Sequence, residues 1–293
     1  MSDDVDTVRR FNRTITERIG ALQDDYLARG RPLGASRVLW EVRSGTQDVR
    51  ALRSRLNLDS GYLSRLLRCL ESEGLVTVER AEHDRRRRIV RPTARGLREC
   101  RLLDRKSDEL AASILAPLSE AQRHLLTEAM STVERLLTAG AVRIAVEDPA
   151  STDAQFCIAQ YFAELDQRFD GGFDPEASIS ADVDELTPPF GLLLVARLHD
   201  QPVGCGALKL HGGAPAEIKR MWVGTDARGL GLGRRLLAEL ERHATDRAVT
   251  TVRLETNRTL TEAISLYRSS GYSEVPAFNA EPFAHHWFEK RIP

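Results

Sequence analysis

Three glycines at every second position, Gly229, Gly231 and Gly233, mark a stretch of the chain suited to binding an anion. The apolar segment 221–223 precedes them and predicts a strand, and the residues after Gly233 place leucines at helical spacing. Glycine lets the backbone approach a ligand closely, and free N–H groups at the start of a helix favour phosphate. The sequence therefore predicts an anion site built from a strand, a glycine loop and a helix N-terminus.

The residue types in this loop exclude two common phosphate-binding motifs. The loop contains no Gly-Lys-Ser or Gly-Lys-Thr, which an NTP-binding loop requires. Arg234 follows Gly233 where the GxGxxG dinucleotide motif would have its last glycine. The loop alone leaves open which phosphate compound it binds.

A second group of residues able to bind anions is the run Arg85, Arg86, Arg87 and Arg88. The segments 75–78 and 89–91 flank it and predict the two strands of a hairpin, with the arginines at its tip. Adjacent arginines repel one another, and a solvated surface usually interleaves acidic residues among them. A phosphate-rich partner therefore explains this run better.

Charge is distributed unequally along the 293 residues, a length that favours two domains. Residues 1–140 contain 26 Lys and Arg against 21 Asp and Glu, whereas residues 141–293 contain 16 against 22. We expect domains at 1–140 and 141–293. The basic excess favours a polyanion partner for the first domain, but a general preference for surface arginine would also produce it.

Several classes of protein and site are not expected. No apolar run of about 18 residues occurs, so no membrane span or membrane partner is predicted, and the acidic N-terminus lacks an apolar leader. The cysteines lie far apart and without histidines at ligand spacing, which indicates reduced thiols and no metal site: Cys69, Cys100, Cys157 and Cys205. We therefore expect a cytoplasmic protein without a metal.

Helices are predicted to position the basic residues. Apolar periodicity predicts one long helix over 3–29 and another from Ser119 to Thr138, which Ser119 and Gln122 begin as a capping box. Between them, a helix ending near Leu56 and another from about Ser60 form a helix-turn-helix pair. The outer face of the second helix carries side chains that can reach bases and phosphates: Ser60, Tyr62, Ser64, Arg65 and Arg68. Such a pair also occurs in ordinary helical bundles.

The helix pair and the basic hairpin together resemble the MarR family of winged-helix transcription factors. The match lies in the Leu-Glu-x-x-Gly-Leu-Val end of the second helix, in the tip Asp84-Arg85-Arg86 and in Thr93-x-x-Gly96. It covers roughly residues 5–140. The resemblance implies a homodimer held by its terminal helices that binds double-stranded DNA through the second helix and the arginines at the hairpin tip.

The second half of the chain alternates between helices and strands. A helix is predicted from Ser151 to about Phe169, followed by a long loop over 170–190. The strands that follow are predicted at 191–198, 201–211, 218–223 and 250–256. Leu236, Leu237 and Leu240 predict the helix after the glycine loop, and Thr259 and Glu262 are predicted to cap a last helix. The tail from Phe278 to Ile292 is predicted to form two last strands around Pro282.

This order of elements resembles the GNAT superfamily of N-acetyltransferases over about residues 142–292. The sequence matches are Arg228-x-x-Gly231-x-Gly233, Ala263-x-x-Leu266-Tyr267 with Gly271-Tyr272, and the closing Phe288-Glu289-Lys290. The resemblance implies an α/β fold with a central mixed, mostly antiparallel sheet, preceded here by a mainly α winged helix domain. It also implies acetyl-CoA as co-substrate.

The resemblance assigns roles residue by residue. It implies that the backbone of Met221, Trp222 and Val223 pairs with the pantetheine arm of the cofactor. Backbone N–H groups would hold the pyrophosphate along the loop, which comprises Arg228, Gly229, Leu230, Gly231, Leu232, Gly233 and Arg234. Tyr267 would donate a proton to the departing CoA thiolate.

The general base is less strongly specified. Glu217, on the strand before the glycine loop, is the candidate that resembles the family, and Glu255 and His286 are its rivals. His285 and His286 either line the acceptor pocket or belong to an edge strand.

These inferences favour a DNA-binding regulator fused to an N-acetyltransferase. We expect an amine acceptor, and a small molecule is favoured over a protein lysine because the loop over 170–190 can close over a pocket. The alternative is a DNA-binding regulator whose second domain is a non-catalytic sensor of acyl-CoA or of an amine.

Overall fold

A computed structural model of the protein describes residues 2–80, 87–179, 181–212 and 215–293. The chain divides into two compact units, residues 1–130 and 131–293. The first unit is mainly helical and the second is built on a mixed sheet, which confirms the predicted fold class. The predicted domain boundary between residues 140 and 141 stays a prediction.

The first unit combines helices with a small three-stranded sheet. Its elements are α1 (Ser2–Arg18), α2 (Leu33–Glu41), β1 (Gln47–Asp48), α3 (Val49–Leu56), α4 (Ser60–Ser72), β2 (Val76–Arg80), β3 (Arg88–Pro92), α5 (Ala94–Leu115) and α6 (Glu120–Ala141), which continues into the second unit. The strand order is β1-β3-β2, and β2 and β3 form an antiparallel hairpin, here called the wing. Residues 81–86, between its strands, lie outside the described residues.

Local signals fix the helix-turn-helix pair. The Asp59 side chain accepts a hydrogen bond from the Tyr62 N–H and so caps α4, and Gly74 ends that helix with φ of 67°. The predicted apolar stripe of α4 is buried in the core of this unit: Leu63, Leu66, Leu67 and Leu70. Because this stripe packs against α2, the opposite, polar face of α4 is the outer one.

A buried ion-pair cluster ties the segment before α2 to α5. Arg31 is 6% exposed and contacts both Glu73 and Glu99, and Arg29 donates two further hydrogen bonds to Glu99. These guanidinium groups lower the pKa of Glu99 to about 2, because hydrogen bonds and positive charge stabilise the carboxylate more than burial destabilises it.

The prediction of one helix over 3–29 was wrong. Helix α1 ends at Arg18, and Gly20 takes φ of 69°, which no continuing α-helix allows. A short 3-10 turn over Tyr26–Ala28 follows. The apolar spacing persists across the break, and this is why periodicity alone suggested a continuous helix.

Helices α1 and α6 expose apolar side chains. Val8 and Phe11 of α1 are 58% and 45% exposed, and Leu125 and Leu137 of α6 are 68% and 69% exposed. The predicted capping box of α6 is present, because Gln122 N–H donates to the Ser119 hydroxyl and Ser119 N–H donates to the Gln122 side chain.

The second unit is a seven-stranded sheet with helices on both faces. Its elements are β4 (Arg143–Glu147), α7 (Thr152–Arg168), β5 (Gly191–Leu198), β6 (Gln201–Lys209), β7 (Ala216–Val223), α8 (Leu232–Thr245), β8 (Thr251–Thr256), α9 (Thr261–Ser269), β9 (Ser273–Val275) and β10 (His286–Arg291). The strand order is β4-β5-β6-β7-β8-β10-β9. Strands β7 and β8 run parallel, whereas the other adjacent pairs of described strands are antiparallel.

The sheet opens between its two parallel strands. In the register of β7 and β8, Ala216 lies opposite Val252 and Glu217 lies opposite Arg253, both at the start of β7. Further along β7 the pairing with β6 is irregular, and Arg220 takes φ of 55° there. The rest of β7 therefore leaves β8, and its backbone lines a cleft.

Two predictions near the end of the chain were wrong. The Thr259 hydroxyl and N–H bind the Asn257 side chain, so Thr259 does not cap α9, whose N-cap is Leu260. Two strands do lie on either side of Pro282, but β9 precedes the predicted range of Phe278 to Ile292, which contains β10.

Candidate functional site

A cleft of about 550 Å³ lies where β7 separates from β8. Its walls come from α7, the end of β7, the glycine loop and α9. The lining includes the predicted cofactor residues Met221, Trp222, Val223, Arg228, Gly229, Gly231, Gly233 and Arg234, together with Leu232. The structure thus brings the predicted strand, loop and helix start to one cavity.

The glycine loop enters α8 through a left-handed turn. Gly229 and Gly231 take φ of 76° and 72°, and an added Cβ at either would meet no atom within 4 Å. Gly231 is the N-cap of α8, so a helix N-terminus opens onto the cleft without a side chain in front of it. Leu230 packs against the apolar core. The loop is therefore shaped to receive an anion against its backbone.

A carboxylate from α7 lies beside this loop. Glu164 accepts hydrogen bonds from the Trp222 indole N–H at 3.1 Å and from Arg228, and it contacts Arg168 at 3.3 Å. Arg228 also donates to the Val223 carbonyl. Arg234, on the other side of the loop, donates to the Ser269 hydroxyl of α9 at 3.0 Å. Glu164 was not predicted from the sequence, although it follows Tyr161 at helical spacing on the cleft side of α7.

Two tyrosines face the cleft from opposite helices. Tyr267 of α9 is 5% exposed, and burial, with Tyr161 and Glu255 nearby, raises the pKa of its hydroxyl far above the ordinary value. Burial likewise raises the pKa of Tyr161 of α7, which lines the same cleft. Both hydroxyls are therefore neutral proton carriers at physiological pH. Tyr161 was not predicted from the sequence.

The two candidate acidic bases share one lysine. Lys219 contacts Glu217 at 3.2 Å and donates a hydrogen bond to Glu255. Glu217 also lies 3.3 Å from the His211 ring. Glu255 is one of the groups that raise the pKa of Tyr267, so its charge acts on that hydroxyl. Lys219 was also missed, although its position two residues after Glu217 on a strand places both on one face.

The two tail histidines lie elsewhere. His286 binds Glu274 at 2.6 Å and lines a separate groove with Thr261 and Arg268 on α9. His285 is exposed, and its N–H donates to the Thr256 carbonyl. Neither residue is among the described side chains that line the Tyr267 cleft.

The predicted DNA-contacting side chains lie on α4 and the wing. Ser60 and Arg65 are exposed and Ser64 is half-buried. The Tyr62 ring is half-buried against the core of the first unit, and its hydroxyl lies over Gly34. This places most of the Tyr62 side chain inside the unit.

The wing arginines are described only in part. Arg87 is exposed and pairs with Asp48 at 2.9 Å, and Arg88 is exposed at the start of β3. Arg85 and Arg86, also predicted to contact DNA, lie outside the described residues.

Two general expectations concern membranes and metals. Among the helices that the structure describes, none is both long and apolar enough to cross a bilayer. In the same described residues no group of three or more His, Cys, Asp or Glu side chains is arranged to hold a metal ion. The four cysteines are free thiols.

Comparison with known proteins identifies both units. The sequence model of the acetyltransferase (GNAT) family matches residues 159–272, and a model of a winged helix DNA-binding domain matches residues 36–96. The IAA acetyltransferase of Azospirillum brasilense is 35% identical over 138 residues, which are 47% of this chain and 88% of that protein.

Two further proteins resemble the second unit. An uncharacterised N-acetyltransferase of Schizosaccharomyces pombe is 36% identical over 100 residues, which are 33% of this chain and 58% of that protein. A Klebsiella pneumoniae structure, provisionally described as an acyl-CoA N-acyltransferase, is 30% identical with a TM-score of 0.44 over 51% of this chain and 97% of that one.

Proposed function

The chain belongs to the GNAT family of acetyltransferases, carries a winged helix DNA-binding domain and is an acyl-CoA N-acyltransferase, and from this premise we propose that it transfers acetyl from acetyl-CoA to an amine and regulates transcription. The observation that carries the catalytic half is the single cleft in which the glycine loop, the end of β7 and Tyr267 meet. Such a cavity holds a phosphate group and a reacting thioester at once.

The lining of the cleft fits acyl-CoA. The loop backbone from Arg228 to Arg234 would hold the pyrophosphate, and the part of β7 that no longer pairs with β8, residues 221–223, would hydrogen-bond the amide groups of the pantetheine arm. Apolar side chains of Leu260, Ala263 and Leu266 on α9 offer the opposite wall. Acyl-CoA supplies the activated acetyl group when bound.

Proton transfer at both ends of the reaction falls to residues of this chain. A carboxylate, Glu217 or Glu255, accepts a proton from the amine, directly or through a water, as the C–N bond forms. Tyr267 donates its phenolic proton to the thiolate sulfur as the C–S bond breaks. Because burial keeps the Tyr267 phenol protonated, it is in the form that can donate.

A small-molecule amine is the proposed acceptor. Glu217, Glu255 and Lys219 together carry one excess negative charge, which attracts an ammonium group. The loop over 170–190 is anchored near this end, because the Ser178 hydroxyl and the Ile179 N–H both donate to the buried Glu281 carboxylate. A protein lysine is the alternative acceptor.

An assay of free CoA tests the catalytic proposal against the sensor alternative. Purified protein with acetyl-CoA and a panel of small amines and lysine peptides should release CoA thiol faster than the same mixture without an acceptor. Tight binding of acetyl-CoA with no acceptor-dependent release from any amine or peptide would favour a non-catalytic sensor.

The first unit is proposed to bind double-stranded DNA as a MarR-like homodimer. The exposed apolar side chains of α1 and α6, among them Phe11 and Leu125, offer a surface that a second copy can cover. A two-fold dimer would place one α4 helix in each half of a near-palindromic site.

Replacing Arg87 and Arg88 by alanine is expected to weaken DNA binding and its salt dependence. Each arginine that contacts a phosphate releases a counterion, so the slope of log K against log salt should fall by about 1 to 2 for the pair. Titration of double-stranded DNA at several salt concentrations measures it. The matched control replaces the exposed Arg242 and Arg247 of the second unit. An unchanged slope would show that these two residues do not contact phosphate.

A further inference from the structure

Lys219 of β7 lies between two carboxylates, Glu217 on its own strand and Glu255 on β8. Its ammonium group is 3.2 Å from Glu217 and donates a hydrogen bond to Glu255 of β8. Lys219 is 9% exposed, Glu255 is 8% exposed and Glu217 is 18% exposed. Because this cation is shielded from water and contacts both candidate bases, it affects the charge of those bases as well as the stability of the sheet.

Without this cation, burial and the negative charge of Glu217 would both favour the protonated form of Glu255. Burial already raises the pKa of Glu255, and Lys219 is the group that opposes this by stabilising the ionised form. Lys219 itself has a raised pKa, because the attraction of the two carboxylates outweighs its burial, so it stays charged.

Other titratable groups face the same site. His211 contacts Glu217, and Glu281 raises the pKa of Glu255 from the segment between β9 and β10. Tyr161 and Tyr267 approach from α7 and α9, and Arg220 follows on β7 and acts on Tyr161. The charged groups that act on Glu255 are therefore Lys219, Glu217 and Glu281.

We propose that Lys219 is a positioning residue for the acetyl transfer, and that it keeps the proton-accepting carboxylate ionised and fixed at neutral pH. The inference rests on the proposed function. In this arrangement Glu217 and Glu255 act as one lysine-bridged unit, and the unit rather than one glutamate accepts the proton from the amine. After product release the unit returns this proton to water and Tyr267 regains from water the proton that it gave to the thiolate, so protons balance over the cycle.

The sign of the pH effect follows from the charge. Lys219 lowers the pKa of its carboxylate partner, so removal of the ammonium raises that pKa. A base with a higher pKa is protonated, and therefore inactive, up to a higher pH. The acid limb of the pH profile of kcat/KM should consequently move upward when Lys219 loses its charge.

The experiment compares pH profiles of kcat/KM for wild type and Lys219→Met. The acid limb should shift upward by about 1 to 2 pH units, with a rate at pH 7 at least roughly tenfold lower that recovers at higher pH. Lys219→Arg retains the charge and should leave the limb near its wild-type position. Lys219→Gln is the second uncharged variant, used if the methionine variant does not fold.

Lys290→Met is the matched control. Lys290 lies on β10, is 24% exposed and pairs with Glu241 of α8 at 2.7 Å. The variant therefore loses the ion pair of a strand lysine, whereas Glu217 and Glu255 keep their contacts with Lys219. Its acid limb should coincide with that of the wild type.

Two results would overturn the inference. A uniform loss of rate at every pH, with the acid limb unmoved, would give Lys219 a merely structural role, and an unchanged profile would give it no role. If the wild type itself shows no turnover, the proposed function fails instead. Carbon-13 NMR titration of the Glu255 carboxyl, assigned with Glu255→Gln, then still tests whether Lys219→Met raises its pKa.

Discussion

Replacement of Tyr267 by phenylalanine is expected to lower kcat by about 100-fold to 1000-fold and to leave the Kd for acetyl-CoA within about twofold. The change removes one hydroxyl from a side chain that is 5% exposed and lines the cleft beside the glycine loop. The thiolate would then leave without a proton donor, whereas the contacts of the loop with phosphate stay intact. Steady-state kinetics and calorimetric titration with acetyl-CoA separate the two effects.

Tyr272→Phe is the control for Tyr267→Phe. Tyr272 is 4% exposed and packs against Tyr267 with ring centroids 6.0 Å apart, but it is not among the described residues that line the cleft. It should retain activity. Full activity of Tyr267→Phe would remove Tyr267 from the mechanism, and an equal loss of acetyl-CoA affinity would make it a binding residue instead.

Valine at position 231 is expected to raise the Kd for acetyl-CoA by about 100-fold or more. Gly231 takes φ of 72°, and a β-branched residue in that conformation is strained by about 1–3 kcal/mol. The new side chain would also stand at the N-terminus of α8, between the backbone N–H groups and an incoming phosphate. Calorimetric titration measures the loss, and circular dichroism checks the fold.

Gly212→Val separates strain from obstruction. Gly212 also has positive φ, 59°, with open space around it, and it lies outside the described lining of the cleft. The control should lose some stability and keep its affinity for acetyl-CoA. Equal losses of affinity in both variants would show that backbone strain alone, and not obstruction of the N–H groups at the start of α8, explains the effect of Gly231→Val.

The parts of the molecule that local sequence determines were predicted well. The glycine loop with its strand and helix follows from residues close together in the chain, and so does the wing after α4. Asp59, Gly74 and the Ser119 capping box act on their own neighbours, so the positions of these helix ends were predictable.

The errors arose where another residue overrode the local sequence pattern on which the prediction was based. Thr259 has the spacing of a capping box with Glu262, but Asn257 binds Thr259 and Arg168 binds Glu262. Apolar spacing continues beyond Arg18, but Gly20 breaks the backbone.

The charged network of the site could not be predicted, because it depends on distant segments meeting. Glu164 and Arg228 are 64 residues apart in sequence, and Lys219 and Glu255 are 36 apart. No spacing rule connects such residues. The sequence supplied Tyr267 and Glu217 only through resemblance to a family, whereas Tyr161, Glu164 and Lys219 required the fold.

The hydrogen bonds that Glu164 accepts from Trp222 and Arg228 place an anion of the protein itself beside the glycine loop. In the proposed function, a phosphate that took the place of this carboxylate at Arg228 would exchange one ion pair for another and gain less free energy than a new pair would give. The same carboxylate would compete with CoA after the transfer and shorten the residence time of the product. An internal competitor of this kind would lower affinity and speed the release of product.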